Sequence, residues 1–71
     1  MQKIIFNMGR DGSERLTVFK ELKKLKKKFI KAKAYTSLNP LMMETTSFDY
    51  LYNYCLGYWN FMLEVYYDEN N

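Results

Sequence analysis

The spacing of apolar and polar residues changes several times along the chain. Residues 2–7 are rich in Ile and Phe, which favour extended structure, and they predict a short strand. Gly9 and Gly12, three positions apart, predict a turn after that strand. Asp11 or Ser13 can then cap a helix, because a short side-chain oxygen at that position accepts from the first free amides.

A helical period follows the turn and predicts a first helix over residues 13–34. The apolar residues are separated by four, three, four and three positions, which places them on one side of a 3.6-residue helix. They are Val18, Leu22, Leu25, Phe29 and Ala32. The basic residues fall on the other side, and the lysine-rich C-terminal half suits the helix dipole.

A connector is predicted over residues 35–47, because Asn39-Pro40 stops a helix from continuing. Thr45, Thr46 and Ser47 are all plausible caps for the next helix, and Thr46, followed by Asp49 three residues later, is the favoured one.

Residues 48–67 give conflicting signals. Their many tyrosines and other aromatics favour strands by propensity, whereas polar residues recur at a helical spacing. That polar stripe consists of Asp49, Asn53, Gly57, Asn60 and Glu64. The opposite side is apolar or aromatic and contains Phe48, Leu51, Cys55, Trp59, Met62 and Tyr66. Ranking the period above the propensity predicts a second helix over residues 48–67.

These elements predict a mainly α fold, with a small α+β fold as the alternative, in one small domain over residues 1–71. Apolar residues make up 48% of the chain and aromatic residues 18%, more than so small a monomer covers easily. We therefore expect a dimer or a partner-binding patch. Tyr50, Tyr54 and Phe61 are left over once the second helix packs, and they form the candidate interface.

Charge is distributed unevenly between the two halves of the sequence. In residues 1–35, eleven basic residues against three acidic ones leave a net charge of +8, whereas residues 36–71 carry only five acidic residues, a net −5. A basic surface of this kind favours an anionic partner.

On the first helix, a row of lysines is expected to face solvent and to follow a nucleic-acid backbone. The candidate nucleic-acid-binding residues are Lys20, Lys23, Lys24, Lys27, Lys28, Lys31, Arg10 and Arg15. Lys20, Lys24, Lys27 and Lys31 form the central row, and the two arginines flank the helix N-terminus, where free amides also attract phosphate.

Other interpretations of the lysines remain open. A solvated face that keeps the protein soluble explains them equally well, and an acidic protein surface is a further partner. Contact with an anionic membrane is a weaker alternative. Lysine in place of arginine argues against base reading and for contact with the phosphate backbone. Stacking of bases on Tyr50, Tyr54 and their aromatic neighbours is disfavoured, because the surrounding residues are acidic.

Residue types that carry most chemistry are missing. The sequence has no histidine and a single cysteine, Cys55, so a Cys/His zinc site and an intrachain disulfide are both excluded. We expect no catalytic residues, metal, cofactor or small-molecule substrate. The apolar run at the N-terminus is too short for a signal peptide, and a lone thiol is typical of a reducing compartment. Both favour a cytoplasmic location.

The sequence therefore predicts a small, non-enzymatic regulatory protein that binds RNA or DNA backbone through a lysine-rich helix. The alternative is a stoichiometric inhibitor of a host or phage-type protein, acting through the basic ridge or the aromatic face. Such short, lysine- and tyrosine-rich chains fit a phage or another mobile element.

Overall fold

The computed structural model describes residues 1–69, which form four strands and two helices. In chain order they are β1 (Gln2–Met8), α1 (Gly12–Leu25), β2 (Phe29–Tyr35), β3 (Met43–Thr45), α2 (Phe48–Gly57) and β4 (Phe61–Tyr67). A 3-10 turn, Lys26–Lys28, joins α1 directly to β2.

The strands form one antiparallel sheet in the order β1-β4-β2-β3. β4 pairs with β1 from Gln2 opposite Tyr67 to Met8 opposite Phe61, and it pairs with β2 along its other side. Each helix therefore connects two parallel strands across an intervening strand: α1 passes over β4, and α2 passes over β2. The last strand of the chain thus lies inside the sheet, next to the first.

Alternate side chains of the two central strands form the core. Phe61, Leu63 and Val65 of β4 are buried, as are Ala32 and Ala34 of β2. The helices add Val18, Leu22, Leu51 and Cys55 to the same cluster. Both helices therefore pack on one face of the sheet. We call the opposite face, formed by the intervening strand residues, the open face.

The prediction of a mainly α fold is wrong. The protein is a small α+β fold: among residues 1–69, 39% are helical, the 3-10 turn included, and 35% are in strands. The predicted strand at residues 2–7 is confirmed as β1. Each of the two predicted helices is instead a shorter helix followed by a strand.

The helix predicted over residues 13–34 ends at Leu25. Beyond the 3-10 turn the chain is extended, and Ala32 and Ala34 both point into the core. A repeat of two residues is the period of a strand, because successive side chains alternate between the faces of a sheet. Phe29 and Ala32 continued the helical spacing only by coincidence.

The helix predicted over residues 48–67 is broken in the same way. α2 ends at Gly57, and Asn60 adopts a φ of 63°, in the left-handed region that stops a right-handed helix. The Asn60 amide donates to the Met8 carbonyl at 2.7 Å, which sets β4 beside β1. The strand propensity of residues 61–67, not the apparent helical period, decides the structure here.

The helix starts are set by short polar side chains. Asp11 caps α1 as predicted, because its carboxylate accepts from the Ser13 amide at 2.9 Å and from the Ser13 hydroxyl at 2.8 Å. These bonds hold the pKa of the Asp11 carboxyl below its ordinary value. α2 is capped by Ser47, one of the three plausible caps, and not by the favoured Thr46; the Ser47 hydroxyl accepts from the Tyr50 amide at 3.2 Å.

The connector predicted over residues 35–47 is a hairpin loop followed by β3, which pairs with β2. The loop is closed by the Thr36 amide donating to the Asn39 carbonyl at 2.9 Å and by the Asn39 amide donating to the Thr36 hydroxyl at 3.0 Å. Pro40 follows this tight turn and lies outside the strands, so the sheet does not require an amide hydrogen at this position.

Candidate nucleic-acid interface

Six lysines lie within nine residues at the end of α1 and in the 3-10 turn. We call them the lysine cluster: Lys20, Lys23, Lys24, Lys26, Lys27 and Lys28. All are exposed except Lys28, which is half-buried. Glu21 is the one acidic residue in the same stretch of sequence. The cluster is therefore a concentrated positive surface at one end of the molecule.

Lys24 and Lys28 of the lysine cluster each lie next to a carboxylate. Lys24 Nζ lies 3.3 Å from Glu21 Oε1, and Lys28 Nζ lies 3.6 Å from Glu69 Oε1. The Lys24 and Glu21 side chains are 73% and 44% exposed, so water and salt screen their attraction. Such exposed pairs hold the side chains only loosely, and five of the six lysines of the cluster are exposed to solvent.

The predicted row of Lys20, Lys24, Lys27 and Lys31 does not form. α1 ends before Lys27, which lies in the 3-10 turn, and Lys31 lies on β2. Because Ala32 faces the helices, the neighbouring Lys31 faces the open side of the sheet. The structure thus keeps the other predicted lysines together and moves Lys31 to a different surface.

Arg15 has a structural role that the sequence did not reveal. Its guanidinium donates to the Cys55 carbonyl at 2.6 Å and to the Tyr58 carbonyl at 3.0 Å, across the C-terminus of α2. The same group lies 5.6 Å from the centre of the Phe19 ring. These contacts occupy Arg15 within the fold. Arg10 is exposed in the turn before α1, away from the lysine cluster.

A groove of about 540 Å³ separates α1 from α2 beside the cluster. Lys23 Nζ lies 5.8 Å from the centre of the Tyr52 ring, and Lys26 Nζ lies 5.8 Å from that of Phe48. Asp49 and Asn53 of α2 line the other side of this groove. The lysines are thereby held at its rim, and the Asp49 carboxylate makes its far wall unfavourable for phosphate.

Tyr50, Tyr54 and Phe61 do not form one exposed surface. Phe61 is 2% exposed and belongs to the core. Tyr54 is half-buried, with its ring centre 5.4 Å from that of Phe61 and 4.6 Å from that of Tyr58. Burial, and to a smaller extent Tyr58, raises the pKa of the Tyr54 hydroxyl above its ordinary value. Of the three predicted residues, Tyr50 alone is exposed.

A different group of apolar side chains is exposed where α2 ends. Leu56, Tyr58 and Trp59 are each more than half exposed, and Tyr50 lies on the same helix. The sequence placed Trp59 on the buried side of a long helix, and its exposure follows from the break of that helix at Gly57.

The open face carries a row of three residues, of which only Lys31 was a predicted binding residue. Tyr66 of β4 lies opposite Lys3 of β1 on one side and opposite Lys31 of β2 on the other. Lys31 Nζ lies 5.1 Å from the centre of the Tyr66 ring. We call Lys3, Tyr66 and Lys31 the tyrosine row. It lies at the same end of the sheet as the 3-10 turn, from which β2 starts.

The middle of the open face is mixed in charge. Glu64 of β4 lies opposite Ile5 on one side and opposite Lys33 on the other, and Lys33 in turn lies opposite Glu44 of β3. The Tyr66 hydroxyl donates to the Glu64 carboxylate, and this bond, more than burial, raises the pKa of Tyr66. The bond also fixes the direction of the Tyr66 ring along the sheet.

Lys26, Lys3 and Tyr66 are thus additions to the predicted site. Lys26 could have been found in the lysine run of residues 20–28. Lys3 and Tyr66 could be found only by pairing β1 with β4, which requires reading residues 61–67 as a strand.

Cys55 offers no nucleophile, since burial raises the pKa of its thiol to about 12, against a smaller opposing effect of Arg15. Within residues 1–69 the structure places no three Cys, Asp or Glu side chains where they could hold a metal ion. No helix in that part of the chain is long and apolar enough to cross a membrane.

Comparison with known proteins finds no matching family model, no similar curated protein and no similar solved structure.

Proposed function

We propose that this protein is a small, non-enzymatic regulator that binds the phosphate backbone of nucleic acid through the lysine cluster. The observation that carries the proposal is the concentration of six lysines in residues 20–28, at one end of the molecule, with Glu21 as the one acidic residue of that stretch and Glu69 paired with Lys28. Neutralising phosphates releases condensed counterions, so a surface of this kind gives affinity without sequence preference.

The dimensions of the cluster suit a short run of backbone. From Lys20 to Lys28 the chain advances about 13 Å, from the rise of α1 and of the 3-10 turn. That length corresponds to about four nucleotides of one strand at 3.4 Å each. Lysine ammonium groups act as point charges that need no fixed geometry, which fits contact with phosphate better than reading of base edges.

A cytoplasmic location belongs to the same proposal. Cys55 is a free, buried thiol, and reducing compartments keep such thiols unpaired. A protein with this surface would regulate by covering a stretch of polymer that another factor needs.

The test replaces Lys20, Lys23, Lys26 and Lys27 together by glutamine and measures binding to fluorescein-labelled 30-nucleotide DNA and RNA by anisotropy. Loss of four phosphate contacts should weaken binding at low salt by about 100-fold or more. The matched control replaces the same four lysines by arginine, which keeps the charge and should keep the affinity. Undiminished binding by a glutamine variant with native circular dichroism would refute the proposal.

The exposed group at the end of α2 favours a second candidate function, binding of a protein target as a stoichiometric antagonist. Leu56 and Trp59 are 56% and 54% exposed, and apolar side chains grouped on a surface often mark protein contacts. A one-to-one complex that resists nuclease and is lost in a Leu56→Ser/Trp59→Ser variant would support this function. A self-complex lost in that variant would instead identify the expected homodimer.

A further inference from the structure

We propose that the open face of the sheet is a platform on which unpaired bases stack, so that the preferred ligand is single-stranded nucleic acid. The inference rests on the proposed function, because it identifies the class of polymer that the lysine cluster holds. Its basis is the tyrosine row and the continuity of that row with the lysine cluster.

The first step is the shape of the surface. Both helices pack on the other face of the sheet, and the open face is formed by strand side chains that are exposed or half-buried. The side chains of neighbouring strands lie side by side on this face and form a continuous surface on which successive bases can lie. Single-strand binders combine such aromatic surfaces with a basic path for the backbone.

The second step is the state of the Tyr66 ring. Its hydroxyl is bonded to Glu64, and Lys31 Nζ lies 5.1 Å from the ring centre. The hydrogen bond keeps the ring oriented along the sheet before any ligand arrives. An exposed cation–π contact is weaker than base stacking on an aromatic ring. A base can therefore displace the Lys31 ammonium from the ring, and the ammonium is then free to contact the adjoining phosphate.

The third step is the path of the backbone. Lys28 immediately precedes β2, and its carbonyl accepts from the Asp68 amide at 2.9 Å, just beyond the end of β4. The lysine cluster and the tyrosine row thus meet at one end of the sheet. A strand with its phosphates along the lysine cluster can turn over this end and bring its bases to Tyr66.

The fourth step is the charge along the middle of the open face. Glu64 and Glu44 flank Lys33 there, so phosphates are not favoured over the centre of the sheet. Beyond them lie Met62 and Tyr35, paired across β4 and β2 and both half-buried. Met62 is about 13 Å from Tyr66 along the strand, which leaves room for a second base. This distribution directs bases toward the sheet and phosphates toward the lysine cluster.

The experiment compares a labelled 12-nucleotide single strand with the same sequence as a duplex, by anisotropy, for the wild type and three variants. We expect the wild type to bind the single strand at least about tenfold more tightly than the duplex. Tyr66→Leu should weaken single-strand binding by about tenfold, the effect of losing one stacked base, and leave duplex binding unchanged. Tyr66→Phe keeps the ring and should stay within about threefold of the wild type.

The third variant, Tyr50→Leu, is the matched control, because Tyr50 is an exposed tyrosine on α2 far from the sheet's open face. It should bind like the wild type. Equal affinity for single strand and duplex, with no effect of Tyr66→Leu, would overturn the inference. If the four-lysine glutamine variant still loses binding in that case, the proposed function stands without it. If the wild type binds neither the single strand nor the duplex, the proposed function itself is refuted, and the inference is refuted with it.

A second measurement needs no variant. A single strand carrying 5-bromodeoxyuridine is photocrosslinked to the wild-type protein, and the adduct is located by mass spectrometry of peptides. Adducts on Tyr66 or Tyr35 are expected. Adducts confined to residues 20–28 would contradict the inference even if a Tyr66 variant could not be prepared in folded form.

Discussion

At the scale of single residues, Arg15 shows how a side chain with the right charge can serve the fold instead of a ligand. The C-terminus of α2 leaves carbonyls without helical partners, and the Arg15 guanidinium donates to two of them. Its planar fork matches two acceptors at once, which a lysine ammonium on its flexible chain does less well. A basic residue near a helix N-terminus can therefore be assigned as a phosphate contact only when the packing of the neighbouring elements is known.

We predict that Arg15→Ala lowers the free energy of unfolding by about 2 kcal/mol, because two charge-assisted hydrogen bonds are lost. Arg15→Lys should recover only part of that loss. Urea denaturation followed by circular dichroism measures both, and the nucleic-acid affinity of the folded Arg15→Lys variant should be unchanged. A stable Arg15→Ala protein with weakened binding would restore Arg15 to the binding surface.

Cys55 gives a prediction for alkaline pH. Burial raises the pKa of its thiol from 9.0 to about 12, so the folded state holds the proton more tightly than the unfolded chain. Its contribution to stability is complete below pH 9 and is lost as the pH rises toward 12, at up to about 1.4 kcal/mol per pH unit. The raised pKa values of Tyr54 and Tyr66 act in the same direction.

The measurement is the free energy of unfolding of the wild type and of Cys55→Ala between pH 8 and about pH 11. The alanine variant is less stable throughout, since it leaves a small cavity, but its decline with pH should be shallower. Parallel curves for the two proteins would show that the Cys55 thiol does not set this dependence.

At the scale of elements, the sequence predicts starts better than ends. β1, the Asp11 cap and the core positions Val18 and Leu22 follow from local rules, because turn residues and the first helical turns depend on near neighbours. Local rules could not separate strands β2 and β4 from the helices that precede them. Each pairs with distant partners, and in β2 the alternation of Lys31 and Lys33 with buried alanines was the available signal.

The candidate site was also predictable only in part: its lysines were predicted, and Tyr66 was not. The lysines of residues 20–27 are exposed on α1 and the 3-10 turn, as their pattern indicated, although not in one helical row. Tyr66 was assigned to an apolar helix side, because residues 61–67 were read with the wrong period. A residue of the open face can be recognised only when the register between β1, β4 and β2 is known.

Substitutions at Asn60 test whether its left-handed conformation is needed between α2 and β4. Its φ of 63° costs an ordinary residue about 1 kcal/mol, so Asn60→Ala should destabilise the protein by that amount and Asn60→Gly should be neutral or stabilising. Asn53, exposed within α2, is the matched control with the opposite order: alanine there should stabilise and glycine destabilise. Thermal denaturation of the four variants measures the order of stability at each position. The same order at both positions would show that Asn60 does not need the left-handed conformation.

At the scale of the whole molecule, the topology redistributes the charge of the two sequence halves. The acidic half contributes β4, which lies between β1 and β2 of the basic half. Glu64 therefore lies opposite Lys33, and the middle of the open face carries both charges in place of the separation seen along the sequence. The excess positive charge is left at the lysine cluster, where one end of the sheet meets the end of α1.

This arrangement predicts that lysines differ in their share of the salt dependence of binding. The slope of log affinity against log salt concentration should fall by about 0.7 for Lys23→Gln, because Lys23 is an exposed member of the cluster and each phosphate contact on a single strand contributes that amount. Lys33→Gln removes the same charge between Glu44 and Glu64, where phosphate is not favoured, and should leave the slope unchanged. Anisotropy titrations of a labelled single strand at several salt concentrations measure both slopes. Equal reductions would mean that the protein attracts nucleic acid through its net charge alone, and a reduction only for Lys23→Gln would mean that the fold gathers the charge into a site.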